Sequence, residues 1–269
     1  MSKVVRNEVI SIDVGNKLVD IIRDGSKKVI IVPTVILPKR DGLKIESKIF
    51  TSIVKDDKKE ILAELVDADG KKSELLYLGA SAVKHGGEER AIKKDKYNDL
   101  SIAKAIHIMT AYAILKDHKS TDEAYIKLVT SLPLREFTHS ERVEKFKSII
   151  AGEKTIKMHG GSLSGSKLDL RIQEEDIMVL PEGAVALYNI ITTKEGKLKK
   201  EYEDHEGRVF IVIDIGGGTV DIMAVTLNLT EDGVLLLEPE GDLIGYMDEG
   251  ILTAEQDVVD LLFNEMDYC

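Results

Sequence analysis

Hydrophobic and polar positions alternate with a period of two at the start of this chain. The runs VISIDVG and KLVDIIRD, the turn DGS at 24–26 and the run KKVIIVPTVIL predict antiparallel strands joined by hairpins. Between Leu37 and Leu78, charged turn clusters such as VKDDKK separate short apolar alternations, including ILAELV and ELLYLG. This pattern predicts a small, mostly β insertion.

From Asp99 onward the pattern changes to helices that alternate with strands. The stretch DLSIAKAIHIMTAYAILKD is apolar nearly all around a helix, with Asp99 or Ser101 as N-cap, and it predicts a buried helix. A strand ending at Pro133 and an amphipathic helix beginning at Ser140 follow. Two more strands come next, and then a helix whose first turn contains Pro181. Such alternation indicates an α/β fold.

The C-terminal part begins with a charged connection. The segment TTKEGKLKKEYEDHEGR, 192–208, has no periodicity and predicts a solvated loop or a connection between lobes. A strand hairpin, VFIVIDIGGGTVDIMAVTLN, then precedes a helix-like run, ILTAEQDVVDLLFNEM. Because 269 residues exceed the usual size of one domain, we expect a first domain at 1–191, with the insertion at 37–98, and a second at 192–269.

Composition and charge restrict the class of protein. Hydrophobic residues make up 43% and charged residues 32% of the chain, which is typical of a globular protein without a membrane span. The net charge of −11 argues against charge-driven binding to DNA or RNA, because phosphate neutralisation needs an excess of Lys and Arg. We therefore expect no membrane partner, and contact with DNA only through another protein.

The chain offers few side chains for disulfides or transition metals. Cys269 is its one cysteine, so no intrachain disulfide can form. His107 lies in the predicted buried helix without a second ligand at metal-binding spacing, so we expect it to pack in the core. The N-terminus lacks the pattern of a signal peptide, and a cytoplasmic location is expected.

The hairpin VFIVIDIGGGTVDIMAV has the chemistry of a phosphate site. Its first strand ends at Asp214 and turns through the glycines 216–218, whose backbone N–H groups can be approached closely by phosphate oxygens. Asp214 would act through a hydrated Mg²⁺, since a carboxylate repels phosphate. Thr219 can add a hydroxyl group, and Asp221 can hold the second strand or another metal-bound water.

The N-terminal run ISIDVGNKLVDII repeats this design, with Asp13 at the end of a strand and a turn through Gly15 and Asn16. Two such hairpins could bind a nucleotide's phosphates from both sides. Other nucleotide-binding and hydrolase motifs do not match the sequence. The chain has no P-loop and no G-x-S-x-G nucleophile motif. The glycines 216–218 precede a predicted strand, whereas the glycines of a dinucleotide-binding motif precede a helix.

These two motifs, IDVGN and IDIGGGTVD, resemble the first and second phosphate motifs of the actin, Hsp70 and sugar-kinase superfamily. The segments TSLPLREFTHSERVEKFKSII and VLPEGAVAL are similar to those of bacterial actins of the plasmid-segregating ParM type. The resemblance implies an actin-like ATPase fold of two ribonuclease-H-like lobes. The second lobe is expected to be incomplete, because the chain ends soon after the second hairpin.

The resemblance also implies roles for individual residues. Asp13 and Asp214 would position Mg²⁺-bound waters, and Glu182 would orient or polarise the attacking water. A carboxylate at position 182 could instead only favour the start of the following helix through the helix dipole. The phosphate-contacting residues implied by the motifs are Gly15, Asn16, Lys17, Gly216, Gly217, Gly218 and Thr219.

The function implied is that of a filament-forming actin that binds ATP or GTP with Mg²⁺, self-associates and moves plasmid DNA held by an adaptor protein. Two other functions stay open. One is a small-molecule kinase of the same superfamily, which would need a substrate pocket and a catalytic base. The other is a cell-division or pilus scaffold that binds nucleotide without turnover. Dependence of sedimentation on nucleotide separates these functions.

Overall fold

The computed structural model describes residues 3–39, 60–87, 95–193, 197–216, 219–230 and 235–247. The strands are β1 (Val5–Val14), β2 (Leu18–Arg23), β3 (Ile30–Pro33), β4 (Ile36–Pro38), β5 (Ile61–Asp67), β6 (Ser73–Leu78), β7 (Glu123–Leu132), β8 (Gly152–Met158), β9 (Lys167–Pro181), β10 (Val209–Ile215), β11 (Val220–Leu229), β12 (Leu235–Pro239) and β13 (Gly245–Met247). The α-helices are α1 (Ala80–Lys84), α2 (Leu100–Asp117), α3 (Leu134–Phe137), α4 (Ser140–Ile150) and α5 (Ala184–Ile191).

Two compact units make up the chain. The first comprises Met1–Thr130 and Glu144–Val179, and the second comprises Ser131–Val143 and Leu180–Cys269. Each unit combines two separate stretches of the chain. This division does not test the domain boundary expected at residue 192, which stays a prediction.

A nine-stranded sheet with the order β3-β2-β1-β7-β9-β8-β5-β6-β4 forms the frame of the first unit. The N-terminal hairpins are antiparallel as predicted, whereas β1 is parallel to β7. The strands β4, β5 and β6 of the predicted insertion are not a separate layer. They extend the same sheet, because β5 pairs with β8. The part of the insertion at 40–59 lies outside the described residues.

Helix α2 supplies much of the core of the first unit. Its N-cap is Asp99, one of the two candidates that the sequence offered, and the Asp99 side chain accepts a hydrogen bond from the Ser101 backbone N–H. Most of its residues are buried, and the helix packs against β1, β2, β5 and β8. Ile10 and Ile12 of β1 and Ile21 of β2 are buried in the same core. The apolar residues on nearly all sides of this helix therefore correctly predicted that most of its surface is buried.

The second unit is built around an antiparallel sheet, β10-β11-β12, in which β13 also pairs with β11. One sheet face packs against α3 and α5, which contribute Leu134, Leu187 and Ile191 to a shared apolar core. Leu198 and Tyr202 pack against that core as well. The segment expected at 192–208 as a solvated loop or a connection between lobes includes a 3₁₀ turn at Lys200–His205, none of whose residues is buried. Most of its described residues are exposed, and Leu198 and Tyr202 are partly buried.

The start of α5 also differs from the prediction. Pro181 is the last residue of β9, and the helix begins three residues later with Gly183 as its N-cap. Strand β9 extends this far because Glu182 N–H donates to the Leu132 carbonyl at the end of β7, 2.9 Å away. Gly183 then turns the chain with φ of +88°, which L-residues rarely adopt.

Two further observations concern membranes and the C-terminus. Among the residues that the structure describes, no helix combines the length and apolarity needed to cross a bilayer. The helix predicted from ILTAEQDVVDLLFNEM falls on 251–266 and lies outside the described residues, as does Cys269.

Candidate functional site

The two glycine hairpins share one cross-strand arrangement of carboxylates. In the first unit, Asp13 on β1 lies directly opposite Asp20 on β2. In the second unit, Asp214 on β10 lies directly opposite Asp221 on β11. Both hairpins therefore follow the pattern D-x-G-x₄-D, and each turn brings a pair of acidic side chains to neighbouring positions of its sheet.

The two turns are also closed in the same way. The Gly15 N–H donates to the Leu18 carbonyl over 2.9 Å, and the Gly216 N–H donates to the Thr219 carbonyl over the same 2.9 Å. A Cβ atom at Gly15 would lie 3.2 Å from that Leu18 oxygen, and one at Gly216 would lie 3.3 Å from the Thr219 oxygen. Each turn is therefore fitted to glycine at its first position.

The first hairpin carries a cation beside its carboxylates. The Nζ atom of Lys96 lies 3.3 Å from Oδ1 of Asp13 and is almost completely buried, whereas Asp13 is 55% exposed. Burial raises the pKa of Asp20, and the charge of Asp13 raises it further. Oδ1 of Asp20 is buried without a hydrogen-bond partner. Asn16 and Lys17 lie in the turn, where the Lys17 carbonyl accepts from the Thr34 N–H.

Asp221 is the most buried carboxylate of the second hairpin. Its Oδ2 accepts a 3.4 Å hydrogen bond from the Leu134 N–H at the start of α3, and its Oδ1 has no hydrogen-bond partner. Its pKa is raised to about 6, chiefly by burial and also by the charges of Glu182 and Asp214, while the Leu134 N–H and Arg135 act in the opposite direction.

Glu182 lies beside the same hairpin because its neighbour Gly183 packs on β10. A Cβ atom on Gly183 would be 3.3 Å from Cγ1 of Val212 and 4.0 Å from Oδ2 of Asp214. Helix α5 has no acidic residue in its first turn, since Glu182 precedes its N-cap. The helix-dipole interpretation of Glu182 is therefore weaker than the sequence indicated.

In the second unit, the structure thus brings together three of the acidic residues considered from the sequence, Glu182, Asp214 and Asp221. Oxygen donors of this kind suit a hard divalent cation, which often keeps several of its waters. Within the described ranges, no group of three His, Cys, Asp or Glu side chains is arranged to hold an ion directly. The carboxylate oxygens of Glu182, Asp214 and Asp221 are acceptors of the kind that would hold the waters of a hydrated Mg²⁺. Gly217 and Gly218 lie outside the described residues.

Two charged residues near the first hairpin were not assigned a role from the sequence. Asp20 could have been found by aligning the two hairpins, because both have an aspartate five residues after the first glycine. Lys96 had no such signal, since it is 83 positions from Asp13 in the chain. Only the fold brings these two side chains into contact.

Comparison with known proteins decides the family. A family model for the N-terminal domain of actin-like proteins matches residues 11–184, more than half of the chain. The chain belongs to the actin-like proteins. A search of curated proteins returns no significant match.

Solved structures agree with this assignment. Actin-like protein Alp7A is 20% identical with a TM-score of 0.66, over 91% of this chain and 62% of that one. A 15-stranded ParM filament from Clostridium botulinum is 20% identical with a TM-score of 0.65, over 100% of this chain and 70% of that one. ParM from Bacillus thuringiensis with ATP is 20% identical with a TM-score of 0.61, over 96% of this chain and 65% of that one.

These likenesses confirm the expected fold class, an actin-like α/β fold. The chain spans less than two thirds of the length of Alp7A and of the Bacillus thuringiensis protein. Activity, ligands and assembly of this chain are therefore matters for proposal.

Proposed function

We propose that this actin-like chain binds ATP or GTP with Mg²⁺ and assembles with copies of itself into cytoplasmic filaments that move plasmid DNA. The observation that carries the proposal is the repeated D-x-G-x₄-D hairpin, with the same register and the same turn hydrogen bond in both units. Two similar structures support the proposal. ParM from Clostridium botulinum is solved as a filament, and ParM from Bacillus thuringiensis is solved with ATP.

Each hairpin contributes backbone N–H groups to phosphate oxygens at its glycine turn, through residues 15–17 and 216–219. Glycine at the first turn position keeps the backbone accessible, because a Cβ atom would crowd a carbonyl oxygen there. Bound Mg²⁺ supplies charge neutralisation at the phosphates. Asp13 and Asp214 orient the metal-bound waters through their carboxylates.

Glu182 is the proposed general base. It lies beside Asp214 and outside α5. Its carboxylate orients the attacking water and accepts a proton from it as the water oxygen bonds to the terminal phosphorus; the bond from that phosphorus to the bridging oxygen breaks, and nucleoside diphosphate leaves. Hydrolysis of a nucleoside triphosphate needs mainly positioning and charge neutralisation. One general base and two carboxylates that position the metal ion are therefore sufficient for this reaction.

Assembly is proposed to be head to tail, since a heterologous contact that does not close produces a filament. With a net charge of −11, the chain would attach to DNA through an adaptor protein.

High-speed sedimentation tests the function. The chain is incubated with no nucleotide, Mg-ATP or Mg-GTP, and phosphate release is followed in parallel. We expect protein in the pellet only with nucleotide, together with slow phosphate release. Soluble protein that consumes ATP only when a metabolite is added would instead indicate a kinase. Soluble protein that binds ATP without turnover would indicate a scaffold, and absence of nucleotide binding would overturn the proposal.

A further inference from the structure

A groove in the first unit lies between the β2–β3 hairpin and the last turns of α2. It encloses about 540 Å³ and has an apolar floor that includes Ile21, Ile61 and Tyr112. Val29 and Ile31 also line the groove, and they are 53% and 58% exposed. Among the described strands, β3 pairs only with β2 and so forms an edge of the sheet. Exposed apolar side chains beside a sheet edge mark this groove as a place where another segment can bind.

The polar side chains of the groove are mainly cations. Arg23 is neutralised within the unit, because it pairs with Asp117 over 3.0 Å and with Glu8 over 3.1 Å. Lys27 and Lys28 are exposed and form no ion pair in the part of the chain that the structure describes. The groove therefore combines an apolar floor with two unpaired positive charges, which suits an apolar segment that carries carboxylates.

Charge is distributed unevenly along the chain. Residues 209–269 contain 14 acidic side chains and no lysine or arginine, whereas residues 1–208 contain 37 basic and 34 acidic side chains. The C-terminal part is therefore responsible for the net charge of −11, and the rest of the chain is slightly positive. Opposite charge on two parts of one chain favours attraction between unlike surfaces of two copies, which is a heterologous contact.

The C-terminal part also contains an apolar segment of the required chemistry. Residues 251–266 lie outside the described residues, and their sequence predicts a helix. Glu255 precedes Leu262 by seven residues and Glu265 follows it by three, so helical spacing places both carboxylates on the apolar side of that helix. A carboxylate that accompanies apolar side chains into a contact needs a cation as its partner. Because residues 209–269 contain no lysine or arginine, that cation must come from another part of the chain or from a second copy.

We infer that the groove of one copy binds residues 251–266 of a second copy, with the two glutamates of this segment paired to Lys27 and Lys28. The apolar side chains of the segment cover the floor of the groove, in the manner of an amphipathic helix bound in a hydrophobic groove. The neighbouring residues 40–59 are a less suitable occupant, because they contain six basic and four acidic side chains. This inference rests on the proposed self-association and assigns the surfaces that make the contact.

Charge reversal tests this contact, with self-association of the full chain measured by sedimentation velocity, both with Mg-ATP and without nucleotide. The groove variant is Lys27→Glu/Lys28→Glu, and the segment variant is Glu255→Lys/Glu265→Lys. Each variant alone places like charges at the contact, so we expect its association to weaken at least about tenfold. In an equimolar mixture, each groove meets a segment of opposite charge on the other variant, so association should return.

The matched control is Lys71→Glu/Lys72→Glu, which reverses two adjacent exposed lysines between β5 and β6 of the same unit. This control should associate like the parent. Thermal unfolding shows whether each variant is folded. If the segment variant is not folded, Glu255→Gln/Glu265→Gln replaces it and should also weaken association, because it removes both negative charges.

Parent-like association of the folded groove variant would overturn the inference. Recovery in a chain that combines all four reversals, without recovery in the mixture, would also overturn it, because the contact would then lie within one chain. A parent chain that associates but does not sediment as filaments with any nucleotide would overturn only the proposed filament, and the variants would still decide the contact. A parent chain that stays monomeric would overturn both.

Discussion

Gly183 packs directly against Asp214, since a Cβ atom on Gly183 would lie 3.7 Å from the Cβ atom of Asp214. The same added atom would approach Cγ1 of Val212 to 3.3 Å, and the φ of +88° already disfavours an L-residue at this position. Glu182 precedes this glycine and Asp214 lies under it. The backbone at Gly183 therefore sets the spacing between the proposed base and the metal-positioning carboxylate.

Gly183→Ala should therefore damage catalysis as well as stability. We expect a loss of roughly 1–2 kcal/mol in the free energy of unfolding, from backbone strain. Turnover should fall about tenfold or more, because displacement of Glu182 misaligns the attacking water. Thermal unfolding and phosphate release measure the two effects.

The matched control is Gly207→Ala. Gly207 has a φ of +73° and no atom within 4 Å of an added Cβ, so its variant carries the strain without the crowding. If both alanine variants lose turnover equally, contact between Gly183 and β10 does not position Glu182.

Glu182→Ala should separate binding from hydrolysis. The side chain is assigned to the attacking water and not to the nucleotide, so affinity for Mg-ATP should stay near the parent value while turnover drops at least about tenfold. Single-turnover phosphate release and calorimetry measure the two quantities. Glu203→Ala, an exposed acidic residue of the same unit, serves as control. Unchanged turnover in the Glu182 variant would refute its role as base.

Asp214→Ala should remove the dependence of nucleotide affinity on Mg²⁺. Loss of this carboxylate deprives the hydrated ion of an acceptor for its waters, and we expect affinity for Mg-ATP to fall about tenfold, to the level measured in EDTA. A titration of ATP binding against Mg²⁺ concentration checks this. Equal Mg²⁺ dependence with and without the side chain contradicts the assignment.

The fold was predictable where the hydrophobic pattern of a segment agrees with the environment of that segment in the folded chain. The apolar circumference of α2 and its cap at Asp99 are local signals, and both were confirmed. The two hairpins were also recognised from their own residues, because strand, aspartate and glycine turn are contiguous in sequence. Their matching register followed from the shared spacing of their residues.

The errors arose where partners distant in sequence decide the outcome. Pro181 suits a helix start, but the hydrogen bond between Glu182 and Leu132 extends β9 and delays α5. The charged segment after α5 is largely solvated as expected, but its pattern did not predict that Tyr202 packs partly buried on the core of the second unit. The contact between Lys96 and Asp13 has no local signature at all.

His107 should make the stability of the first unit depend on pH. Burial lowers the pKa of this histidine to about 4, and its Nδ1 lies 2.7 Å from the Ala103 carbonyl oxygen in the core. The neutral imidazole is therefore the form that the fold favours. Its contribution is complete above the ordinary pKa near 6.5 and is lost as the pH falls from there toward about 4.

Chemical unfolding between pH 7.5 and pH 4 measures this effect. We expect His107→Leu to lose less stability than the parent over this range, by roughly 2–3 kcal/mol. His139→Leu, at an exposed position, is the control for the replacement of a histidine by leucine. If the free energy of unfolding changes equally with pH in the parent and in the His107 variant, His107 does not change its protonation on unfolding.

The repeated turn geometry predicts that equivalent substitutions have equivalent effects in the two units. An alanine Cβ would lie 3.2 Å from the Leu18 oxygen at Gly15 and 3.3 Å from the Thr219 oxygen at Gly216, so each turn must open slightly. We expect Gly15→Ala and Gly216→Ala each to cost about 1 kcal/mol of stability and to weaken ATP binding about fivefold to tenfold.

Gly241→Ala is the control for these two variants, because no atom lies within 4 Å of its added Cβ and its backbone is not left-handed. Calorimetry with Mg-ATP compares the three. A loss of affinity confined to one hairpin would mean that only that turn contacts phosphate. Parent-like affinity of both hairpin variants would exclude close approach of phosphate at either turn.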